Sequence, residues 1–294
     1  MEKQIRENID GKIQITVVDE RWYIDTRSDA PKFVPSSSWI SSYYPKGVQF
    51  YKFLASKGWD EAEQIKLDAG ERGTRVHRGI DMLLEGETIA MDMKLPDQNG
   101  VAKELTFEEY DAILSFKKFV DDYKPETIAH DLIVWNDKDG YAGTLDYVCK
   151  IEEDYWLIDF KTSQAIYPSH EIQIASYAHA YPGVELQEQH GKSIIKVVKP
   201  ITKLAVLQVG YNKNKNRYKL TEIEDKYPLF LAAKEIWAYE NGGLQPKKLE
   251  YPESIKLNDT PTKIENGKED ADTKGKKRGS GSIHVEGMEQ EEGG

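Results

Sequence analysis

The chain has 294 residues and a mass of 33.6 kDa, enough to bury a sizeable core as one large domain or two small ones. Its formal net charge of −11 excludes a protein that grips nucleic acid through bulk positive charge, leaving a local basic groove or a bound cation for that task. A single cysteine, Cys149, excludes a disulfide framework and any cysteine-ligated zinc or iron–sulfur cluster within one chain.

Met1–Gly11 carries no signal- or transit-peptide features and no apolar run reaches membrane-spanning length, so a soluble cytoplasmic protein is expected. Lys12–Asp25 reads as a β-hairpin with Asp19 and Glu20 near its turn. Thr26–Ser42, polar and broken by Pro31, Pro35 and three consecutive serines, reads as a loop. A helix is expected from Ser41 or Ser42 to Gly58, and another from Arg72, where Val76, Ile80, Leu83 and Leu84 form one apolar face. His77 sits beside that face, a position that suits a partly buried core histidine. Arg72, Arg75 and Arg78 make the same helix basic, as solvated surface or as phosphate contacts. Met91–Lys103 reads as a loop. Thr106 and Glu109 form a capping box that opens a helix through Tyr123, and Thr127–Trp135 reads as a strand turned back by Asn136–Gly140.

The stretch from Tyr141 to Tyr181 carries the most chemistry. Tyr141–Ile151 and Tyr155–Thr162 read as strands joined by a polar turn at 152–154. Alternation puts Asp159 and Lys161 on one face of the second strand and the apolar Trp156, Ile158 and Phe160 on the other. A hairpin would bring Asp146 to the same place. Two carboxylates and a lysine at one point suit a hard divalent cation and phosphodiester chemistry, and equally suit a cross-strand ion pair on a solvated sheet face. Pro168 and Ser169 open a helix that stops at Pro182-Gly183, and Gln173 and Tyr177 share one of its faces.

Beyond it, Gly191–Lys203 is basic and broken by Pro200, and Leu204–Gly210 and Tyr218–Ile223 read as strands. Between them Lys213, Lys215 and Arg217, flanked by Tyr211 and Tyr218, suit a single nucleic-acid strand or an ordinary solvated hairpin tip. A last amphipathic helix starts at Pro228 and ends at Asn241-Gly242-Gly243. After about Tyr251 large apolar residues become sparse and disorder is expected, with Ile283–Met288 either a partner-binding peptide or part of a solubilising tail.

Gly143-Thr144-Leu145-Asp146, then Asp159-Phe160-Lys161-Thr162, then Gln173-x-x-x-Tyr177 resembles the core of the PD-(D/E)XK nuclease superfamily, in its RecB-like exonuclease branch. That branch includes phage exonucleases and the mitochondrial genome-maintenance exonuclease. Gly73-x-x-x-His77 matches the branch's histidine helix. The resemblance spans roughly 36–237 and implies an α/β (α+β) restriction-endonuclease-like core, a central mixed β-sheet flanked by helices. The corresponding division is a hairpin and loop over 1–35, a nuclease domain over 36–250 and a charged disordered tail over 251–294. It implies Mg²⁺ or Mn²⁺ held by Asp146, Asp159, His77 and the Phe160 carbonyl, with Lys161 acting on the attacking water and Gln173 and Tyr177 bracing the site. Asp131 stands near where relatives often carry a glutamate, as an outer or water-mediated ligand, with Glu126 the fallback. Arg75, Arg78, Lys213, Lys215 and Arg217 are the expected DNA contacts. The implied activity is an exonuclease on single-stranded or end-exposed DNA in phage or bacterial recombination, repair or replication. No G-x-x-x-x-G-K-[ST] motif is present, so unwinding falls to a partner, and a recombination or replication protein could engage the tail. Two other readings are a structure-specific or restriction-type endonuclease and a catalytically silent DNA-binding or protein-interaction module.

Overall fold

The computed structural model describes residues 5–7, 12–17, 20–26, 32–97, 100–189, 192–198, 200–242, 247–249 and 284–286. Residues Met1–Leu244 form one compact unit and Gln245–Gly294 a second. Among the described residues no helix is long and apolar enough to cross a membrane.

The chain opens with a four-stranded antiparallel sheet of Ile5–Glu7 (β1), Lys12–Val17 (β2), Glu20–Asp25 (β3) and Lys32–Pro35 (β4), in that order. The expected hairpin is β2–β3, with Lys12 opposite Asp25 and Val17 opposite Glu20. The expected loop over Thr26–Ser42 instead contains β4 and a helix, Ser37–Ser42 (α1). Pro35 is compatible with a strand here because β4 lies at the sheet edge. The serine run is a helix start: Ser36 Oγ accepts from Trp39 N at 3.1 Å.

The single helix expected up to Gly58 is two, α1 and Val48–Lys57 (α2), parted by a segment containing Pro45. Gly58, at φ 77°, ends α2 and admits the next helix at once, a turn that only glycine makes without strain. That helix, Trp59–Leu84 (α3), begins thirteen residues before the expected Arg72. Its first half is largely solvated, so no apolar stripe marks it in the sequence. Lys94–Pro96 (β5) and Ala102–Glu104 (β6) make a short hairpin inside the expected loop Met91–Lys103. Phe107–Tyr123 (α4) follows the capping box: Thr106 Oγ1 accepts from Glu109 N, and Glu109 Oε2 accepts from Thr106 N at 2.8 Å.

The centre is a mixed five-stranded sheet made of Glu126–Asn136 (β7), Tyr141–Ile151 (β8), Asp154–Lys161 (β9), Lys203–Val209 (β12) and Tyr218–Ile223 (β13). Its order is β13-β12-β9-β8-β7, with β12 parallel to β9 and every other neighbour antiparallel. Between β9 and β12 come the helix Pro168–Ala180 (α5) and the hairpin Val184–Gln189 (β10) with Lys192–Val198 (β11), where the sequence showed only a basic segment. The helix Tyr227–Asn241 (α6) closes the unit. In the second unit Lys247–Leu249 (β14) pairs with His284–Glu286 (β15). The rest of the tail expected to be disordered lies outside the described residues.

Both faces of the sheet are covered, so its inner strands read as nearly continuous apolar runs. On one face Leu145, Leu157 and Val206 pack with Ile40 of α1, Ile172 and Ala175 of α5, and Phe230 of α6. On the other, Tyr147, Ile158, Phe160 and Leu207 pack with Val76 and Ile80 of α3 and with Ile113 and Phe116 of α4.

Candidate active site

The paired strands β8 and β9 part where the charged residues begin. Their ladder runs from Ile151 opposite Asp154 to Tyr147 opposite Ile158. The next residues along are Asp146 and Asp159. Here a side chain replaces the backbone ladder: Asp146 Oδ2 accepts from Phe160 N at 2.8 Å. Beyond this point β8 continues along β7, and β9 continues along β12 with Lys161 opposite Gln208.

At that divergence lies a cavity of about 280 Å³. Its wall includes His77, Asp146, Asp159, Phe160, Lys161, Gln173, Tyr177 and Asp131, so eight of the expected site residues meet at one place. His77 comes from α3, with Nε2 at 3.1 Å from the Phe160 carbonyl and Nδ1 at 3.3 Å from Asp146 Oδ1. A carbonyl can only accept, so Nε2 carries the proton in this arrangement. Lys161 Nζ forms an ion pair with Asp159 Oδ2. Among the described residues no three His, Cys, Asp or Glu side chains stand grouped as a ready metal cage. The imidazole is turned onto Asp146 and the Phe160 carbonyl, and the ammonium onto Asp159.

Charge is not shared evenly here. Asp159 is 2% exposed, and burial, with Asp146 adding to it, pushes its pKa up to about 6 despite Lys161 beside it. Burial acts the same way on Asp146, but His77, Lys161 and the Phe160 N–H outweigh it and hold that carboxyl below its usual range. Burial would lower the pKa values of His77 and Lys161, yet the carboxylates keep both raised, so Lys161 stays charged. The site thus contains one firmly ionised carboxylate and one that takes up a proton near pH 6. Asp159 Oδ2, although ion-paired, has no well-formed hydrogen bond.

The Gln173 and Tyr177 pair is a wall of this cavity. Gln173 Nε2 donates to Tyr177 Oη at 2.7 Å, and burial first, with Tyr23 and the site carboxylates adding to it, holds the phenol pKa well above its ordinary value. Tyr177 therefore remains a donor. Its ring lies where a side chain at Gly143 would be: a Cβ there would stand 2.3 Å from Tyr177 Cε1 and 3.1 Å from Ser37 Oγ. Gly143→Ala is accordingly expected to cost about 1–3 kcal/mol in urea unfolding, and combining it with Tyr177→Ala should cost less than the sum. Additive losses would show that the ring is not what excludes the Cβ.

Asp131 is exposed on β7, level with Asp146 across the strand pair, at a left-handed φ of 44°. Glu126 is opposite Lys150 at the far end of the same pair and does not line the cavity. On α3, two side chains that sequence reasoning passed over also line it, Thr74 and Asp81, the latter 3.3 Å from His130 Nδ1. Their helical offsets from His77, three and four positions, were the available signal.

The expected DNA contacts fare differently. Arg75 is 7% exposed, and its Nε and an Nη donate to Glu109 Oε1 at 2.9 and 2.6 Å. Its guanidinium is committed to α4. Arg78 is half-buried and does not line the cavity. Arg217 is bound to Asp111 at 2.6 Å, and Tyr218 is buried against Phe119, so neither has a face ready for a nucleic-acid strand. Lys213 and Lys215 are exposed, on a loop tied to the end of β9 by Gln164, which accepts from Asn212 N and donates to Gly210 O.

His170, in the first turn of α5, is half-buried, and burial first, then Lys161 and Lys46, push its pKa down to about 3. In the unfolded chain it returns to about 6.5. Below that pH the unfolded state takes up a proton that the folded state refuses, so stability falls as pH drops from about 6.5 toward 3. His170→Gln is expected to remove up to about 2 kcal/mol of the stability that wild type loses between pH 7.5 and pH 5, read by urea unfolding at both values. An equal loss in wild type and variant would refute this.

No protein-family model matches the chain, and no curated protein matches it. Among solved structures, an alkaline exonuclease from Laribacter hongkongensis is similar over 70% of this chain and 84% of that one, at 10% identity and a TM-score of 0.34. That likeness is too distant to carry residue roles from one chain to the other.

Proposed function

We infer that this chain is a divalent-metal-dependent deoxyribonuclease that hydrolyses phosphodiester bonds, acting on single-stranded or end-exposed DNA. The observation that carries the reading is the pair Asp146 and Asp159 with Lys161: a half-buried and a buried carboxylate brought together, one of them raised to about 6, beside a lysine kept charged. Structural ion pairs do not require two carboxylates to share one buried place. A hard cation relieves that repulsion.

The donor set fits Mg²⁺ or Mn²⁺: carboxylate oxygens of Asp146 and Asp159, the Phe160 carbonyl, and the imidazole of His77, with Asp131 within the same cavity. Asp159 Oδ2 now holds Lys161, and an ion there would share that oxygen with the ammonium. When bound, such an ion supplies Lewis acidity and makes water a nucleophile near neutral pH. Lys161, held charged, is a donor and not a base. Its work is to orient the attacking water and offset charge on the phosphate oxygens as the P–O3′ bond breaks, leaving a 3′-hydroxyl and a 5′-phosphate. Tyr177, kept protonated and steadied by Gln173, donates toward the same oxygens.

A cavity of about 280 Å³ has room for a backbone phosphate and its sugar. Lys213 and Lys215, exposed on the loop after β12, are the remaining candidates for backbone contacts. The test is cleavage of end-labelled linear and closed circular DNA, single- and double-stranded, with Mg²⁺ or Mn²⁺. Loss of linear DNA with circles intact is the expected result. Cut circles would make the enzyme an endonuclease, and no cleavage with either metal would sink the enzymatic reading.

A further inference from the structure

The N-terminal sheet takes part in the cavity, and it brings an arginine there. Two of its side chains, Gln14 of β2 and Arg21 of β3, line the same wall as Asp146, Asp159 and Lys161. Register explains why. Gln14 is opposite Tyr23 and Thr16 is opposite Arg21, so Gln14, Tyr23 and Arg21 share one face of that sheet, while Trp22 on the other face enters the core beside α5 and α6. The shared face is pinned to β8. Tyr23 Oη and Thr144 Oγ1 are 2.8 Å apart, each is 3.2 Å from Gln14 Oε1, and whichever hydroxyl accepts in the short bond donates to that oxygen. With its oxygen so engaged, Gln14 has its amide N–H groups as its remaining hydrogen-bonding capacity. The backbone of Arg21 is pinned too, its carbonyl accepting from Ser36 N at 2.9 Å.

Arg21 is exposed, the only arginine among the lining residues, and among the described residues its guanidinium has no ion-pair partner. That is unexpected for a cation beside Asp81, Asp131, Asp146 and Asp159. Arg75 and Arg217, by contrast, are both committed to carboxylates. A wall this acidic repels a phosphodiester, and Lys161 is already engaged with Asp159. An uncommitted planar guanidinium presents two parallel donors to the non-bridging oxygens of a phosphate.

We propose that Arg21, with Gln14 beside it, binds a backbone phosphate of the DNA strand in the cavity, so that the N-terminal sheet is a substrate-binding wall of the site. This deepens the nuclease reading and rests on it for the identity of the ligand.

The test measures binding, so that it does not depend on turnover. Fluorescence anisotropy of a labelled single-stranded oligonucleotide is recorded against salt in an Asp159→Asn background with Mg²⁺, with and without a change at Arg21. Arg21→Ala is expected to weaken binding about tenfold, the worth of one charged hydrogen-bonded contact. It should also reduce the slope of log K against log salt by about 0.7, one phosphate's share for a single strand. Arg21→Lys should restore the slope and only part of the affinity. Unchanged affinity and slope in Arg21→Ala would overturn the proposal, as would a slope that Arg21→Lys fails to restore. Wild-type cleavage is assayed in parallel: its absence counts against the nuclease reading, while the slopes still judge Arg21.

Discussion

Asp159→Asn and Lys161→Ala are each expected to lower the rate of metal-dependent DNA cleavage by about 10³-fold or more, with little change in DNA affinity. The two fail for different reasons. Asn has the shape of Asp and suits a buried position where the carboxyl is already raised to about 6, so Asp159→Asn should fold as stably as wild type or more so. What it loses is a charged oxygen ligand. Lys161→Ala leaves that ligand but removes the cation that orients water and offsets charge on the phosphate. Thermal unfolding separates the cases without DNA: Mg²⁺ should raise the wild-type midpoint, raise that of Lys161→Ala, and leave Asp159→Asn nearly unmoved. Full cleavage by Asp159→Asn would refute the site. An equal Mg²⁺ shift in wild type and Asp159→Asn would remove Asp159 from the ligand set.

The central part of this arrangement was legible because its signals are local. Alternation over Tyr141–Ile151, a polar turn, and charged residues at the end of an otherwise apolar strand give β8 and β9 to within a residue. Pro168 and Pro182 bracket α5 in the same way. Long-range partners were not legible. Arg75 and Glu109 are 34 residues apart, and helical spacing shows Arg75 on a basic stripe without revealing that Glu109 neutralises it. Nothing local to Gln14 or Arg21 shows that a hairpin far upstream folds against Thr144. The half of α3 before Arg72 escaped because a solvated helix has no apolar period to detect. Short elements such as β4, α1 and the β5–β6 hairpin are too brief for periodicity to outweigh their proline, serine and glycine content.

Glu109→Ala is expected to destabilise the fold by about 3–5 kcal/mol, the largest loss of stability among single changes near the site. Glu109 is 1% exposed and does two jobs. Its Oε1 takes both donors of Arg75, and its Oε2 closes the capping box on Thr106 N. Alanine leaves a guanidinium buried with only Glu71 at 3.7 Å, and α4 without half of its cap. Glu109→Gln keeps one acceptor oxygen, enough for Arg75 or for Thr106 N but not for both, and should cost less than alanine. Replacing both partners, Arg75→Met with Glu109→Leu, removes the buried charge entirely and should restore most of the stability, because a buried ion pair gives little over a packed apolar pair. The same double variant bears on DNA. If Arg75 is a bolt between α3 and α4, the salt slope of DNA binding stays at the wild-type value. If the slope falls by about 0.7, Arg75 reaches a phosphate in the complex and the ion pair opens when DNA binds. Urea unfolding and anisotropy on these variants therefore test whether a basic residue two positions from His77 serves the fold or the substrate, and the two hydrogen bonds to Glu109 favour the fold.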